Sequence, residues 1–264
     1  MSAGKLKNLI LVILLVANGF LMALVIPARR EAALRQRQAR EQLTRLFAQS
    51  DVALSLEEIP GTLELYPMEA FCAPEDLVPA AAAVLGGGVT KSTASGVEVT
   101  SQSGVCRIEP GGRLSATLNR SASDAAAEAS SLLRQFGGRW TELTESGVGV
   151  YTARQTLAGA PILSHDVTFT FDGGDLLAVE GRILPEANRS GLTVCCGAED
   201  ALTSFLSSRL DLGWMGSRVE SVTQGYVLTD GAAQGTVLLQ PAWQIVTDAG
   251  VYRVDGITRA VTAE

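Results

Sequence analysis

The chain has 264 residues, 47% hydrophobic and 19% charged, enough apolar material for one or two ordinary cores and unlike a disordered or collagenous chain. Its formal charge of −7 is unevenly divided: residues 1–49 hold eight Lys/Arg against two acids and the remainder 13 against 26, so the body of the protein is acidic. An acidic body with a single histidine lacks the cationic footprint of a nucleic-acid binder, and four cysteines without CxxC or Cys/His spacing argue against a structural zinc site.

Residues 9–26 form an apolar run interrupted by Asn18 and Gly19, with Lys5 and Lys7 before it and Pro27, Arg29 and Arg30 after it. A helix of this length covers about 27 Å, close to the hydrocarbon thickness of a bilayer. A cleaved signal peptide shares the basic start, but the run is longer than an ordinary h-region and no A-x-A-like site follows cleanly. An uncleaved transmembrane anchor over residues 1–27 is therefore expected. Charge leaves its orientation open. Six arginines from Arg29 to Arg45 favour a cytoplasmic body, whereas the very short amino-terminal tail and cysteines able to pair suit an oxidising compartment. Asn18, Gly19, Met22 and Ala23 fall on one helix face that suits a partner helix, and a lone anchor tolerates the same residues equally well.

Residues 28–50 read as a juxtamembrane helix, with Glu31/Arg35 and Glu41/Arg45 as favourably ordered i,i+4 pairs. Ala32, Gln36, Ala39, Leu43 and Leu46 form a short heptad seam. That seam fits a second helix; a solvated spacer or an arginine-rich face on anionic headgroups fits the same residues.

Three cycles of helix followed by strands come next, and modules are expected at 51–118, 119–190 and 191–264, with 119–264 also readable as one domain. A helix over 73–85 carries Pro74, Glu75 and Asp76 in its first turn and ends at Gly86, Gly87 and Gly88. Strands over 89–118 break at Gly96, Gly104 and Gly111-Gly112, and a second helix starts near Ser121 or Ser123 and stops at Gly137-Gly138. In 162–171, Leu163, His165, Val167, Phe169 and Phe171 alternate with polar residues as in a half-buried antiparallel strand. A turn at 172–175 leads into a return strand with Leu177, Val179, Gly181 and Ile183 inward. The last cycle is a helix over 197–212 and strands over 218–229, 236–247, 251–254 and 257–261. The fold class expected is α+β, a transmembrane and juxtamembrane helix followed by repeated helix plus antiparallel meander units.

Catalytic signals are sparse, and no catalytic residue, metal or cofactor is assigned. His165, the sole imidazole, lies on the apolar face of its strand, where a core role outweighs a catalytic one. G-x-S-x-G does not occur, and the S-x-x-K spacing of Ser2 and Lys5 lies in the basic start before the apolar run and is not read as an acylation motif. The acid pairs Glu57/Glu58, Glu75/Asp76 and Glu199/Asp200 lie in loops or helix first turns. The glycine-rich stretches lack a P-loop lysine. Cys195 and Cys196 are adjacent, which strains a mutual disulfide, so Cys72 and Cys106 are the one pair considered for a bridge.

The segment 151–180, YTARQTLAGAPILSHDVTFTFDGGDLLAVE, and the end 241–261, PAWQIVTDAGVYRVDGITRAV, together with the order of basic start, apolar run and helix-meander units, resemble the YycI/YycH-type regulators of Gram-positive two-component systems and their PepSY-like ectodomains. A PepSY-like unit closes with a glycine where Arg259 and Ala260 stand here. The resemblance implies a single-pass cell-membrane protein, its amino terminus cytoplasmic and its body extracellular. It implies a WalK-type sensor histidine kinase and a YycH-like sister protein as partners, regulation of cell-wall metabolism without catalysis, and a use for Asn18, Gly19 and Ala23 against the kinase helices. The alternative function is a PepSY-like inhibitor or chaperone of an extracellular peptidase or wall hydrolase.

Overall fold

The computed structural model describes residues 11, 13–15, 18, 20, 34, 35 and 37–264. The first continuous element is α1, residues 37–49, which buries Leu43 and Phe47, one turn apart, and leaves Ala39 and Leu46 exposed. Then come β1 (Met68–Phe71), a 3-10 turn (Pro74–Leu77) running into α2 (Val78–Leu85), β2 (Val89–Thr93), β3 (Gly96–Thr100), β4 (Gly104–Glu109), β5 (Arg113–Ser121) and α3 (Ala125–Phe136). The middle of the chain supplies β6 (Arg139–Trp140), β7 (Thr144–Gly147), β8 (Val150–Ala153), β9 (Gln155–Leu157), β10 (Ala160–Pro161), β11 (Val167–Asp172), β12 (Asp175–Arg182) and β13 (Asn188–Arg189). The last part holds α4 (Ala198–Ser207), β14 (Val219–Asp230), β15 (Thr236–Thr247), β16 (Gly250–Asp255) and β17 (Val261–Ala263).

Local chemistry sets several of these limits. Gly86 ends α2 in the left-handed region at φ 73°, a conformation open to glycine at no steric cost. The carboxylate of Asp124 caps α3 by accepting from the backbone N–H of Ala127, so the cap lies one residue beyond Ser123 and three beyond Ser121. Burial alternates along β5, with Leu114, Ala116 and Leu118 inward.

Strands β2-β3-β4-β5-β12-β11-β8-β7 form an eight-stranded antiparallel sheet. One face of it carries α2 and α3, with Val84, Ile108, Leu132, Phe169, Leu176 and Val179 among the buried residues between them. A six-stranded sheet runs β13-β1-β15-β16-β17, with β14 also paired to β15, and its core takes in residues of α1 and α4. Phe47, Phe205, Trp214, Tyr226, Trp243 and Tyr252 fill that core. A small sheet, β10-β9-β6, lies beside them.

This architecture corrects the expected fold class. No helix among the described residues is long and apolar enough to cross a membrane, and the fold is mainly antiparallel sheet rather than an anchor helix followed by helix-meander repeats. The physical reason lies in the sheet edges. An isolated four-stranded meander would leave β5 with unpaired backbone groups; β12 pairs with it from Arg113↔Arg182 to Ser121↔Asp175, merging two expected units into one sheet. β1 leaves its expected unit and pairs with β15, where Met68 stands opposite Leu239, 171 residues further along the chain. 

Three local expectations also change. Residues 162–171 are not one strand: Ile162 bridges Tyr226 and belongs to the six-stranded core, whereas β11 begins at Val167 and belongs to the other. A bulge between Leu176 and Ala178 shifts the phase of β12, so that Leu176 rather than Leu177 is buried. Instead of a strand over 257–261, a turn occupies 256–258 and β17 starts at Val261, with Arg259 at φ 63° in the conformation that favours glycine. All four cysteines are free thiols, Cys72 and Cys106 within one core.

Candidate functional site

The face of the eight-stranded sheet opposite α2 and α3 is polar because the strands alternate. With Ile108, Leu114 and Val179 turned to the helices, Arg107, Glu109, Arg113, Ser115, Glu180 and Arg182 share the other face. Register sorts them into two rows. One runs Glu98, Arg107, Ser115, Glu180 across β3, β4, β5 and β12; the other runs Glu109, Arg113, Arg182. In the second row two arginines stand directly opposite one another, an arrangement that repels.

Asp230, at the end of β14 in the other sheet, resolves that repulsion. Its Oδ1 accepts from Arg182 Nη2 at 2.6 Å and its Oδ2 from Arg113 Nη2 at 2.6 Å. Only 3% of the Arg182 side chain is exposed, and its Nε donates to the Gly111 carbonyl at 2.6 Å. A Cβ on Gly111, at φ 80°, would come within 2.7 Å of the Arg182 guanidinium, so the approach requires glycine there. The hydrogen bond from Arg182, with the charges of Arg113 and His165 behind it, holds the Asp230 carboxyl below the usual carboxylate value.

His165 reaches the same place from the crossover between the two sheets. Ser164 Oγ accepts from the Leu228 backbone N–H at 3.0 Å and lies 2.8 Å from His165 Nδ1. The Ser164 hydroxyl and the imidazole share one hydrogen, and through Ser164 the ring is tied to the backbone of β14 at Leu228. Burial, then the charges of Arg182 and Arg113, push the imidazole below its ordinary value. His165 with Arg107, Arg113, Ser115, Glu180 and Arg182 bounds a cavity of about 430 Å3. Its chemistry is recognition of charge: fixed guanidinium donors beside carboxylate acceptors.

Backbone contacts make this place the junction of the sheets. Gly111 N–H donates to Cys72 O, and Cys72 N–H to Gly235 O, each at 3.0 Å, tying the β4–β5 turn to the β14–β15 turn through the end of β1. Nearby, Gln155 and the Leu184 backbone exchange two hydrogen bonds of 2.7 and 2.8 Å in the buried interior. A second cleft of about 430 Å3 is lined by Thr141, Thr152, Thr223 and the Arg154–Asp166 ion pair, whose nitrogen and oxygen are 2.6 Å apart.

Of the residues singled out from sequence, Asn18 is helical and exposed, whereas Gly19, Met22, Ala23, Ala32 and Gln36 lie outside the described residues. Ala39 and Leu46 face solvent, and Leu43 is buried in the protein's own core. The thiols divide in two. Burial pushes Cys72 up to about 11 and Cys106 up to about 12, while the neighbouring Cys196 thiol holds Cys195 down and is itself correspondingly raised. Among the described residues no group of three or more His, Cys, Asp or Glu is placed to hold a metal ion. The arginines and Asp230 were missed by sequence reading. The signal they left is Arg182 itself, a charge directly before the apolar pair Ile183-Leu184.

No protein-family model matches the chain, and no curated protein matches it. Among solved structures, the fold is similar to that of an uncharacterized protein from Eubacterium rectale ATCC 33656, with a TM-score of 0.49 and 10% identity, covering 76% of this chain and 86% of that one.

Proposed function

We propose that the protein is a non-enzymatic, membrane-attached regulator whose body lies outside the cytoplasm. It acts on a WalK-type sensor histidine kinase controlling cell-wall metabolism, through helix contacts near its amino terminus and contacts of its body, with a YycH-like protein as second partner. The sequence resemblance supplies the partner class. The observation that carries the reading is the seating of α1.

A regulator of this kind biases its partner by differential contacts, and a displacement passes between an anchor segment and a folded body only through a stiff connection. α1 is such a connection. Phe47 is fully buried and Leu43 nearly so in the six-stranded core, and burial of a side chain like Phe47 contributes about 2–3 kcal/mol. Arg40 Nε pairs with Glu199 of α4 at 3.0 Å and its Nη2 donates to the Pro60 carbonyl at 2.8 Å. At the far end, the Arg209 guanidinium donates to the Ser50 carbonyl. The apolar residues 9–26 that precede α1 are the attachment in this reading.

Co-purification with the kinase tests the reading. The double variant Asn18→Leu, Gly19→Leu is expected to lose the kinase, and Phe47→Ala to keep it while losing control of target-gene output. Unchanged co-purification together with unchanged output in both variants would refute it. Compartment is tested in intact cells with a membrane-impermeant maleimide and the variant Ser190→Cys. Residue 190 is exposed, whereas Cys72, Cys106 and Cys195 are buried and Cys196 half-buried, so the new thiol should label far above the parent. Labelling only after lysis would place the body in the cytoplasm.

A further inference from the structure

We propose that the cavity on the outer face of the eight-stranded sheet binds a short zwitterionic peptide, its carboxylate held by Arg182 and Arg113 and its ammonium group by Glu180. This goes beyond the kinase reading and stands or falls separately from it.

Arg182 is a buried group with unused donor capacity. A guanidinium has five N–H donors. The Arg182 side chain is almost wholly buried, yet only its Nε and Nη2 have acceptors, Gly111 O and Asp230 Oδ1. Among the described residues nothing accepts from its Nη1, and Arg182 lines the cavity. Arg113, half exposed, uses Nη2 alone. Two guanidiniums in register across β5 and β12 therefore present spare donors to one space, which suits the two oxygens of a carboxylate.

The cavity also holds unused acceptors. Glu109 and Glu180 border the same cavity, and neither has a hydrogen-bond or ion-pair partner among the described residues. They supply negative charge where a simple anion site would have none. With Asp230 already between the arginines, they disfavour a dianion such as phosphate and favour a ligand carrying both signs.

The spacing of the charges matches a dipeptide. Glu180 and Arg182 are two residues apart on one face of β12, about 7 Å along the strand, and two peptide residues span about 7 Å when extended. The cavity volume of about 430 Å3 lies within the range of small-ligand sites, about 300–1,000 Å3.

The single histidine provides the readout, because His165 lines the cavity and its imidazole proton resonances are the only ones in the protein. Full-length protein in detergent micelles would be titrated with alanyl-alanine, with its C-terminal amide, with its N-acetyl derivative and with inorganic phosphate. The expected result is a saturable His165 shift with alanyl-alanine at a Kd of about 1 mM or tighter. It should weaken about tenfold or more with the amide and with Arg113→Ala, and severalfold with the N-acetyl derivative and with Glu180→Gln. Glu180→Gln removes no contact within the protein, so it reports on binding even if Arg113→Ala lowers the melting temperature. Absence of a saturable shift, equal binding of the amide, or phosphate binding as tightly as the dipeptide would overturn the proposal.

Discussion

The two sheets have similar two-layer plans and differ in where their residues come from. The eight-stranded sheet is assembled between Val89 and Arg182, largely from hairpins, over a core of small aliphatic side chains with Phe169 and Phe171. The six-stranded core draws on both ends of the chain, from Leu43 to Val254, and holds both fully buried tryptophans, Trp214 and Trp243. Because Leu43 and Phe47 of α1 share this core with residues some 200 positions away, a displacement of α1 is felt by both ends of the chain. The local sheet is the scaffold for the charged cavity, and the long-range sheet is the receiver of α1.

Trp243→Ala should give the largest effect and would break that contrast if it failed. It removes a fully buried indole whose Nε1 donates to Cys196 O at 3.0 Å, with an expected cost of about 3–5 kcal/mol. Phe169→Ala in the other core belongs to the same cost class, about 3–5 kcal/mol. Urea unfolding measures both losses. Amide exchange separates them: Trp243→Ala should loosen α1 well before Phe169→Ala does.

Asp230→Ala sharpens the junction between the regions. Arg182 would be left with its Gly111 contact alone, at a cost of about 1–2 kcal/mol. This is below the cost for a fully buried pair because the Asp230 side chain is 58% exposed and water screens part of the lost charge. The melting temperature reads the loss.

The pH dependence follows from the two shifted groups at that junction. Asp230 is held below its ordinary value of 3.8, so its contribution is complete above 3.8 and is lost as pH falls through the lower folded value. His165 is held below 6.5, so the unfolded chain takes up its proton first as pH falls below 6.5. Stability should therefore decline on acidification from pH 6.5 until the folded imidazole also protonates, and then level. Urea midpoints across this range check the sign, and His165→Gln should remove the upper step.

The smallest effect is expected at Arg259, which holds a left-handed backbone and pairs with Asp200 across 3.2 Å with both side chains more than half exposed. Arg259→Gly relieves the strain and loses a weak surface pair, for a net gain of less than about 1 kcal/mol. A small rise in melting temperature measures it.

Sequence reading succeeded where structure is local. Gly86 ends α2, and Gly96, Gly104 and Gly111-Gly112 mark the hairpins, because a turn depends on a few neighbouring residues. It failed where partners are distant. β1 has little pattern of its own and is a strand because β15 offers an edge. The alternation over 162–171 is real, yet Ile162 and Phe169 serve different cores. Leu43, read as part of a seam for another helix, packs into the protein's own body.

The candidate site was legible only in His165. The Arg113–Arg182 opposition depends on the β5–β12 register, and Asp230 lies 48 residues beyond Arg182. Neither periodicity nor motif carries that information. Arg182 did carry one sign, a charge at the mouth of an apolar run, but its partner could be named only after the sheets were in place.

The most direct measurement is amide hydrogen exchange on the full-length protein in membrane mimetic, comparing residues 43–50 with β15. If α1 is fixed to the six-stranded core, its amides from 43 onward exchange with the same free energy as those of β15, through global opening, and Phe47→Ala lowers them first. Exchange of those α1 amides orders of magnitude faster than β15 in the unmodified protein would show a loose tether and contradict the account.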